Sequence, residues 1–462
     1  MTPLAVLTRT HQLRSVAAGL TAVAMLLAAG ARPAASDAAV WGEPVAVPKA
    51  EGFSPVASVD RRGVARFLAG ESGQILKLDR KSRVIARCPL PDLGRRSDPG
   101  LPRPFLAWDV GPDGSMLMAW YYDPRPGPRR VAAVTARPDS CFTPRQVLSD
   151  VDRSAGLSGA RVGPDGTAVA FWSESAGGGR RTKFASGRAG ARLAQRGIIA
   201  KSDRYGDPIA TSVGFMRGDR VQFSWGKQQV VRREDPVETV TRMWSAATGP
   251  RATRLGRPML VAGGPPGREV GDGLKGARPL TARDGTQVVI GTGASRLRVW
   301  TRKPQRTFRQ ITSMDAPTGE DSGRFSSSAQ AIEPGGAVVH AWTAAGDVYA
   351  VVRRRDGRLT QPQALTGDTD VTDVSVAIDG EGRAVVTWAI GSEVWIAAAG
   401  RAGDFTPARL LSERGLGANG HPYVAANDRG EVAVTWASAT NPDEYGNKQS
   451  HPILIVRGRL GG

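Results

Sequence analysis

Five nine-residue segments of this chain are versions of one phrase: PDGSMLMAW (112–120), PDGTAVAFW (164–172), PGGAVVHAW (334–342), GEGRAVVTW (380–388) and DRGEVAVTW (428–436). In each, Trp follows the turn glycine by six: Gly114 to Trp120, Gly166 to Trp172, Gly336 to Trp342, Gly382 to Trp388, Gly430 to Trp436. Looser copies extend the phrase to eight units of roughly fifty residues between Ser54 and the C-terminus. A unit of that size cannot bury its own faces, so it must stack on copies of itself.

Residues 373–412 show the unit most plainly, as DVSVAID (373–379), RAVVTW (383–388), EVWIAAAG (393–400) and DFTPARLLS (404–412). Alternating apolar positions and β-branched residues mark four strands, and Gly, Asp and Asn punctuate them. We letter them a to d. The last unit has only three, HPYVAAND, EVAVTWAS and PILIVRGRL. The segment WGEPVAVP (41–48) resembles the d strands TPRQVLS and TPARLLS and can supply the fourth. Such pairing removes the open edge that a linear array would leave. The pattern therefore predicts an all-β, closed β-propeller of eight four-stranded blades, its ring closed by strand 41–48 on the last blade. The count is seven if the unit with Gly291 at the Trp position is misassigned, and the first unit also departs there, with Ala69. Trp120, Trp172, Trp225, Trp342, Trp388 and Trp436 are expected to pack between neighbouring blades.

Over residues 41–460 the repeats resemble those of bacterial secreted β-propeller proteins, in the broad sialidase-like and WD40-like group. The likeness rests on the repeat pattern. Trp follows Gly by six, against three in the sialidase Asp-box S-x-D-x-G-x-T-W, and no G-H…W-D signature is present. The resemblance implies a fold and not an activity.

Residues 1–38 read as a secretory signal peptide. Arg9 and Arg14 precede the apolar stretch Val16 to Ala29, and small-residue sites follow at Ala29-Gly30-Ala31 and Ser36-Asp37-Ala38. One propeller domain is then expected over 39–462, secreted to the extracellular space or cell envelope. No later apolar run is long enough for a membrane span. Cys88 and Cys141 lie 53 residues apart, one repeat length. Export permits a disulfide between them, and two buried thiols are the alternative.

The formal net charge is +19, and 53 of the 62 basic residues are Arg. The Arg skew, with abundant Ala and Gly, fits a GC-rich genome. A charge of that size nonetheless draws a protein to anionic polymers such as wall phosphates or acidic polysaccharides, and export disfavours nucleic acid as the partner.

Three consecutive units carry an Arg pair in or just after the b–c loop: Arg129-Arg130, Arg180-Arg181 and Arg232-Arg233. If they share one face they form a basic arc able to hold carboxylate or phosphate, with Tyr121 and Tyr122 beside it to stack on sugar rings. A sialidase-like enzyme would need a Tyr/Glu nucleophile pair and an Asp acid. Tyr121, Tyr205, Tyr445, Glu174, Glu234 and Asp203 are available, but no spacing singles out any of them. His340 falls inside a b strand. His421 and His451 flank Asp443 and Glu444 without a metal-ligand spacing, and Asp368, Asp370 and Asp373 lack the glycine and closing glutamate of a calcium loop. The Gly/Pro-rich stretch 263–276 is extra material, suited to a partner surface or a lid. The expectation is a secreted, monomeric, non-catalytic propeller without metal or cofactor, binding an anionic polymer, a glycan or an exported protein. The alternative is a sialidase-like glycan-acting enzyme.

Overall fold

The computed structural model describes residues 39–51, 57–69, 74–91, 106–124, 127–176, 179–204, 206–232, 238–249, 254–262, 278–293, 296–315, 327–367, 371–412, 421–438 and 452–461. The signal-peptide reading, stretch 263–276 and Tyr205, Arg233, Glu234, Asp368, Asp370, Asp443, Glu444, Tyr445 and His451 lie outside these residues.

Eight antiparallel sheets follow one another along the chain as the blades of a β-propeller, and seven of them take four strands in sequence order. In blade 8 the N-terminal segment supplies the outer edge. Val40–Trp41 and Val45–Glu51 both pair with strand Pro452–Arg459, setting Val40 opposite Arg459 and Val45 opposite Ile455. The unit with Gly291 is a full blade, so the count is eight. No helix among the described residues is long and apolar enough to cross a membrane.

The repeated glycine is fixed by backbone geometry. Gly114, Gly166, Gly336, Gly382 and Gly430 close the a–b turns with φ of 91°, 76°, 97°, 84° and 78°. Side chains rarely adopt that region. An acceptor side chain accompanies the glycine in most turns, either three residues before it (Asp60, Glu333, Asp379, Asn427) or one residue before it (Asp113, Asp284). Asp379 Oδ1, for example, accepts from the amides of Glu381 and Arg383, both at 2.9 Å.

The tryptophans face backwards. Trp172 packs with Leu117, Ala119 and Val131 of blade 2, Trp342 with Val288 and Leu297 of blade 5, Trp388 with Val339 and Val348 of blade 6, and Trp436 with Val385 and Val394 of blade 7. Each indole fills the space between its own sheet and the one before. Two junctions lack this device. At the 8/1 junction Phe67 packs with Ile453 and Ile455. At the 4/5 junction Trp300, on strand Arg296–Arg302, packs with Ala262 and Phe308. Beside it runs a buried polar chain: Gln287 Nε2 donates to Ser224 Oγ (2.9 Å), Ser224 and Ser245 share a hydrogen bond (2.9 Å), and Arg302 donates to Gln287 Oε1 (2.6 Å) and Ser245 Oγ (2.7 Å). Among the described residues no carboxylate joins it, and burial lowers the Arg302 pKa to about 10.

Strand a is the inner edge of each sheet, so alternate amides have no partner within it. The preceding blade supplies one at three junctions. Asp109 Oδ2 accepts from Val162 N (2.8 Å), Ser327 Oγ from Val374 N (3.4 Å) and Ser375 Oγ from Val424 N (3.2 Å). The acceptors lie five, nine and seven residues before their turn glycines, steps of two that match the pleat of a strand.

Cys88 and Cys141 are disulfide-bonded, with Cα atoms 5.2 Å apart, and tie the outer strand of blade 1 to the c–d loop of blade 2. Closing a loop of this length restricts the unfolded chain, and replacing both residues by Ala is expected to lower stability by about 4 kcal/mol. Urea unfolding of the variant beside the parent checks this, and equal midpoints would refute it.

His340 sits within strand Val338–Ala344, fully buried, with its ring stacked on Trp342 at 5.2 Å. Neither ring nitrogen makes a hydrogen bond. Burial lowers its pKa to about 4, opposed by the Ala329 backbone. Above pH ~6.5 the ring is neutral whether folded or not; below it the unfolded chain takes the proton first. Stability should therefore fall as pH drops from about 6.5 to 4, by about 3 kcal/mol from this residue. A His340→Leu variant should lose that part of the slope in urea titrations at pH 7 and pH 4.5; an unchanged slope would place its origin elsewhere.

Candidate functional site

The described members of the predicted arc lie at one end of the molecule, where b strands hand over to c strands. Tyr121 and Tyr122 end strand Met116–Tyr122, Arg130 begins Arg130–Ala136, Arg180 and Arg181 lie near the start of Gly179–Arg188, and Arg232 ends Arg220–Arg232. Their local chemistry is largely self-contained. The Arg129 guanidinium lies 4.6 Å over the Tyr121 ring and 3.2 Å from Asp123 Oδ1. Arg130 reaches the Val151 carbonyl at 3.4 Å. Tyr122 points to the other side of its sheet, with Arg145 at 5.2 Å from its ring centre. Arg181 stands opposite Glu174 in register. Glu174, fully buried, accepts from Trp172 Nε1 (2.9 Å) and pairs with Lys183 (3.0 Å). Lys183 also pairs with Asp150 (2.9 Å) and, by hydrogen bond and charge, holds that carboxyl below its usual range. The Glu174 and Asp150 carboxylates are thus already occupied by Lys183 of blade 3.

The opposite face, formed by the a–b turns and c–d loops, also spends its arginines on structure. Asp60 and Arg66 are both fully buried and paired at 2.9 Å, and Arg66 donates to the Pro138 carbonyl of blade 2 at 3.3 Å. Arg61 reaches Asp428 of blade 8 (2.6 Å), Arg457 of blade 8 donates to Asp79 O of blade 1 (2.8 Å), and Arg383 to Gly461 O (2.9 Å).

The central channel differs. A cavity of about 430 Å³ lies between the inner strands of blades 2 to 6 and reaches the a–b turns of blades 3, 5 and 6. Its size falls in the range of small-molecule sites. Trp108 lines it from strand Leu106–Val110, Arg161 from Ser154–Val162, Thr211, Ser212 and Phe215 from Asp207–Met216, and Arg278 and Arg283 from either side of Leu280–Thr281. All three arginines are exposed. Arg283 stands 4.0 Å from Asp165, whereas Arg161 and Arg278 form no ion pair among the described residues. The wall also carries Glu333, but Arg355 already pairs with it at 2.8 Å. Close to the wall, burial raises the Asp109 pKa, and the charge of Arg161 opposes this.

At the other mouth, His421 Nδ1 meets Asp373 Oδ2, and Ser327 Oγ donates to Asp373 Oδ1 at 3.2 Å. Burial, then the charge of Asp373, raises the pKa of Tyr423. The carboxylate stands between serine and histidine, so the imidazole does not reach the hydroxyl as it does in a serine–histidine–aspartate triad. Among the described residues no group of three His, Cys, Asp or Glu stands close enough to hold a metal ion.

Sequence reasoning named candidates on the b–c face and did not single out Arg161, Arg278 and Arg283, which the cavity brings together. Their signal was available. Arg161 and Arg283 are basic residues in or beside an a–b turn, the part of the repeat nearest the axis, where an acid-rich turn motif would not require them.

No protein-family model and no curated protein matches the chain. Among solved structures it is similar to a protein of unknown function from Dyadobacter fermentans, at 10% identity and a TM-score of 0.39, covering 77% of this chain and 94% of that one. It is similar to a variant of the NanB sialidase from Streptococcus pneumoniae at 9% identity and a TM-score of 0.38, covering 77% and 68%. A streptogramin B lyase structure matches at 12% identity and a TM-score of 0.38, covering 75% and 94%.

Proposed function

We propose that the protein is an exported, non-catalytic propeller that binds an anionic or carbohydrate ligand of the cell envelope, and that the central cavity receives it. One observation carries this reading: among the described residues Arg161 and Arg278 face a common cavity and neither forms an ion pair, Asp109 acting on Arg161 through its charge alone. Like charges lining one cavity repel one another, and an anion relieves that repulsion. Guanidinium groups from separate blades offer planar, bidentate recognition of carboxylate or phosphate. Support for a binding role over catalysis comes from the Ser327–Asp373–His421 order, which separates the hydroxyl from the imidazole.

Pelleting of the mature protein with isolated bacterial envelope tests the reading. The double variant Arg161→Ala/Arg278→Ala should lose at least about tenfold in binding, the effect of removing charge-assisted hydrogen bonds. The variant Arg129→Ala/Arg180→Ala should retain it. The reverse pattern would move the site to the b–c face, and no pelleting by the parent protein would sink the envelope ligand.

A further inference from the structure

We infer that the cavity receives a small acid on a polyhydroxylated skeleton, its carboxylate or phosphate held by Arg161 and Arg278 and its hydroxyls by Ser158, Thr211 and Ser212; this rests on the cavity reading above. Irregularities in the inner strands carry the inference. Where described, the inner strands of blades 1, 2, 5, 6 and 8 pair with their neighbours in unbroken register. Those of blades 3, 4 and 7 are interrupted, between Leu157 and Gly159, Ile209 and Ser212, and Val371 and Val374. A bulge gives up ladder pairing and re-aims a side chain. In blade 7 the protein itself uses what the bulge offers. Asp373 lies inside the interruption and meets His421 of blade 8 and Ser327 of blade 6, the latter at 3.2 Å. The other two interruptions, on adjacent blades, border the cavity, and Ser158 of blade 3 and Thr211 and Ser212 of blade 4 all line it. Among the described residues none of these three hydroxyls makes a hydrogen bond, whereas Thr281 on the same wall already accepts from Gln287 Nε2 at 2.9 Å. Thr211 is 9% exposed, and its β-branched side chain has few rotamers, so its hydroxyl is presented in a fixed direction. A guanidinium only donates, and so serves the acceptor-only oxygens of an acid. A Ser or Thr hydroxyl donates and accepts, and so also serves groups that donate, such as the alcohols of a sugar or polyol. Glu333 on the same wall is not free for that part, since Arg355 and the Ala337 amide, at 2.8 and 3.0 Å, already hold its carboxylate.

Calorimetric titration of the full mature chain tests this with two matched pairs of probes, inorganic phosphate with mannitol phosphate and acetate with gluconate. The hydroxylated member is expected to bind at least about tenfold more tightly than its simple partner, the effect of two or three neutral hydrogen bonds. The pair that binds more tightly tells phosphate from carboxylate. In Ser158→Ala/Thr211→Val/Ser212→Ala that advantage should vanish while the simple anions bind as before, which also shows the cavity intact. Thr211→Val alone, which keeps the shape of the side chain, should lose part of the advantage, and Thr211→Ser should keep most of it. In Arg161→Ala/Arg278→Ala all four probes should weaken at least about tenfold. Equal affinities within both pairs in the parent protein would overturn the polyol inference and leave the anion-binding cavity standing. So would a hydroxyl variant that weakens the simple anions as much as the hydroxylated ones, because the hydroxyls would then serve the anion itself. Binding that the arginine variant leaves unchanged, or no binding of any probe, would overturn both.

Discussion

A chain that begins at Phe53 is expected to lose the cooperative unfolding of the parent. The truncation removes both N-terminal segments that pair with Pro452–Arg459 and so strips the outer edge of blade 8. Val47, buried against Ile453 and Ile455 in the cluster shared by blades 8 and 1, goes with it. So does Trp41, which packs against the blade 7/8 cluster and presses on Gly458. The loss of two buried side chains and a ladder of hydrogen bonds comes to about 4–6 kcal/mol. It also leaves an open edge strand, which invites association. Urea unfolding should show a lower midpoint, and light scattering should show concentration-dependent self-association. A synthetic peptide of residues 39–51 should restore the midpoint when added in excess. If the truncated chain unfolds like the parent, the closure is dispensable.

The Asp60–Arg66 pair gives the second large effect. Asp60 accepts from the amides of Arg62 (2.8 Å) and Val64 (3.0 Å) as well as from Arg66 (2.9 Å), all at the first a–b turn. Burial lowers the Arg66 pKa, and the charge of Asp60 opposes that shift. Asp60→Ala strands a buried guanidinium and two turn amides, and is expected to cost about 3–5 kcal/mol. Replacing both partners, as Asp60→Ala/Arg66→Met, should recover a large part of that loss because no buried charge is left unpaired. Chemical denaturation of the three proteins checks the cycle. A double variant as unstable as Asp60→Ala would show that the turn amides dominate, and an unchanged Asp60→Ala would show that the pair contributes little.

Blade number, strand order and ring closure were legible in the sequence because they rest on local rules. A turn that needs positive φ selects Gly, a strand that must reach the preceding sheet selects a large side chain six residues later, and an orphan strand seeks an orphan edge. The same rules explain where reading stopped. Phe67 and Trp300 do for their junctions what Trp does elsewhere, but from other positions, so no fixed spacing reveals them. The Arg surplus looked compositional. Much of it holds turns together through partners as distant in sequence as Arg61 and Asp428, a relation visible only once the ring is closed. Cavity residues escaped for a related reason. Arg161 and Arg278 face the same space from blades 3 and 5, and nothing in a single repeat relates them.

The backward-facing indoles give the ring a direction. Each blade completes the core of its predecessor, and the hand-over passes around the circle without an end, the chain termini meeting inside one sheet. The position of the termini is then a matter of covalent bookkeeping alone. A gene re-cut within the c–d connection of another blade, with the present ends joined by a short linker from Gly461 to Ala39, should encode the same eight-bladed ring with its seam moved to that blade. Such rearranged chains would place a tag or fused protein at eight angular positions around the channel without touching its lining.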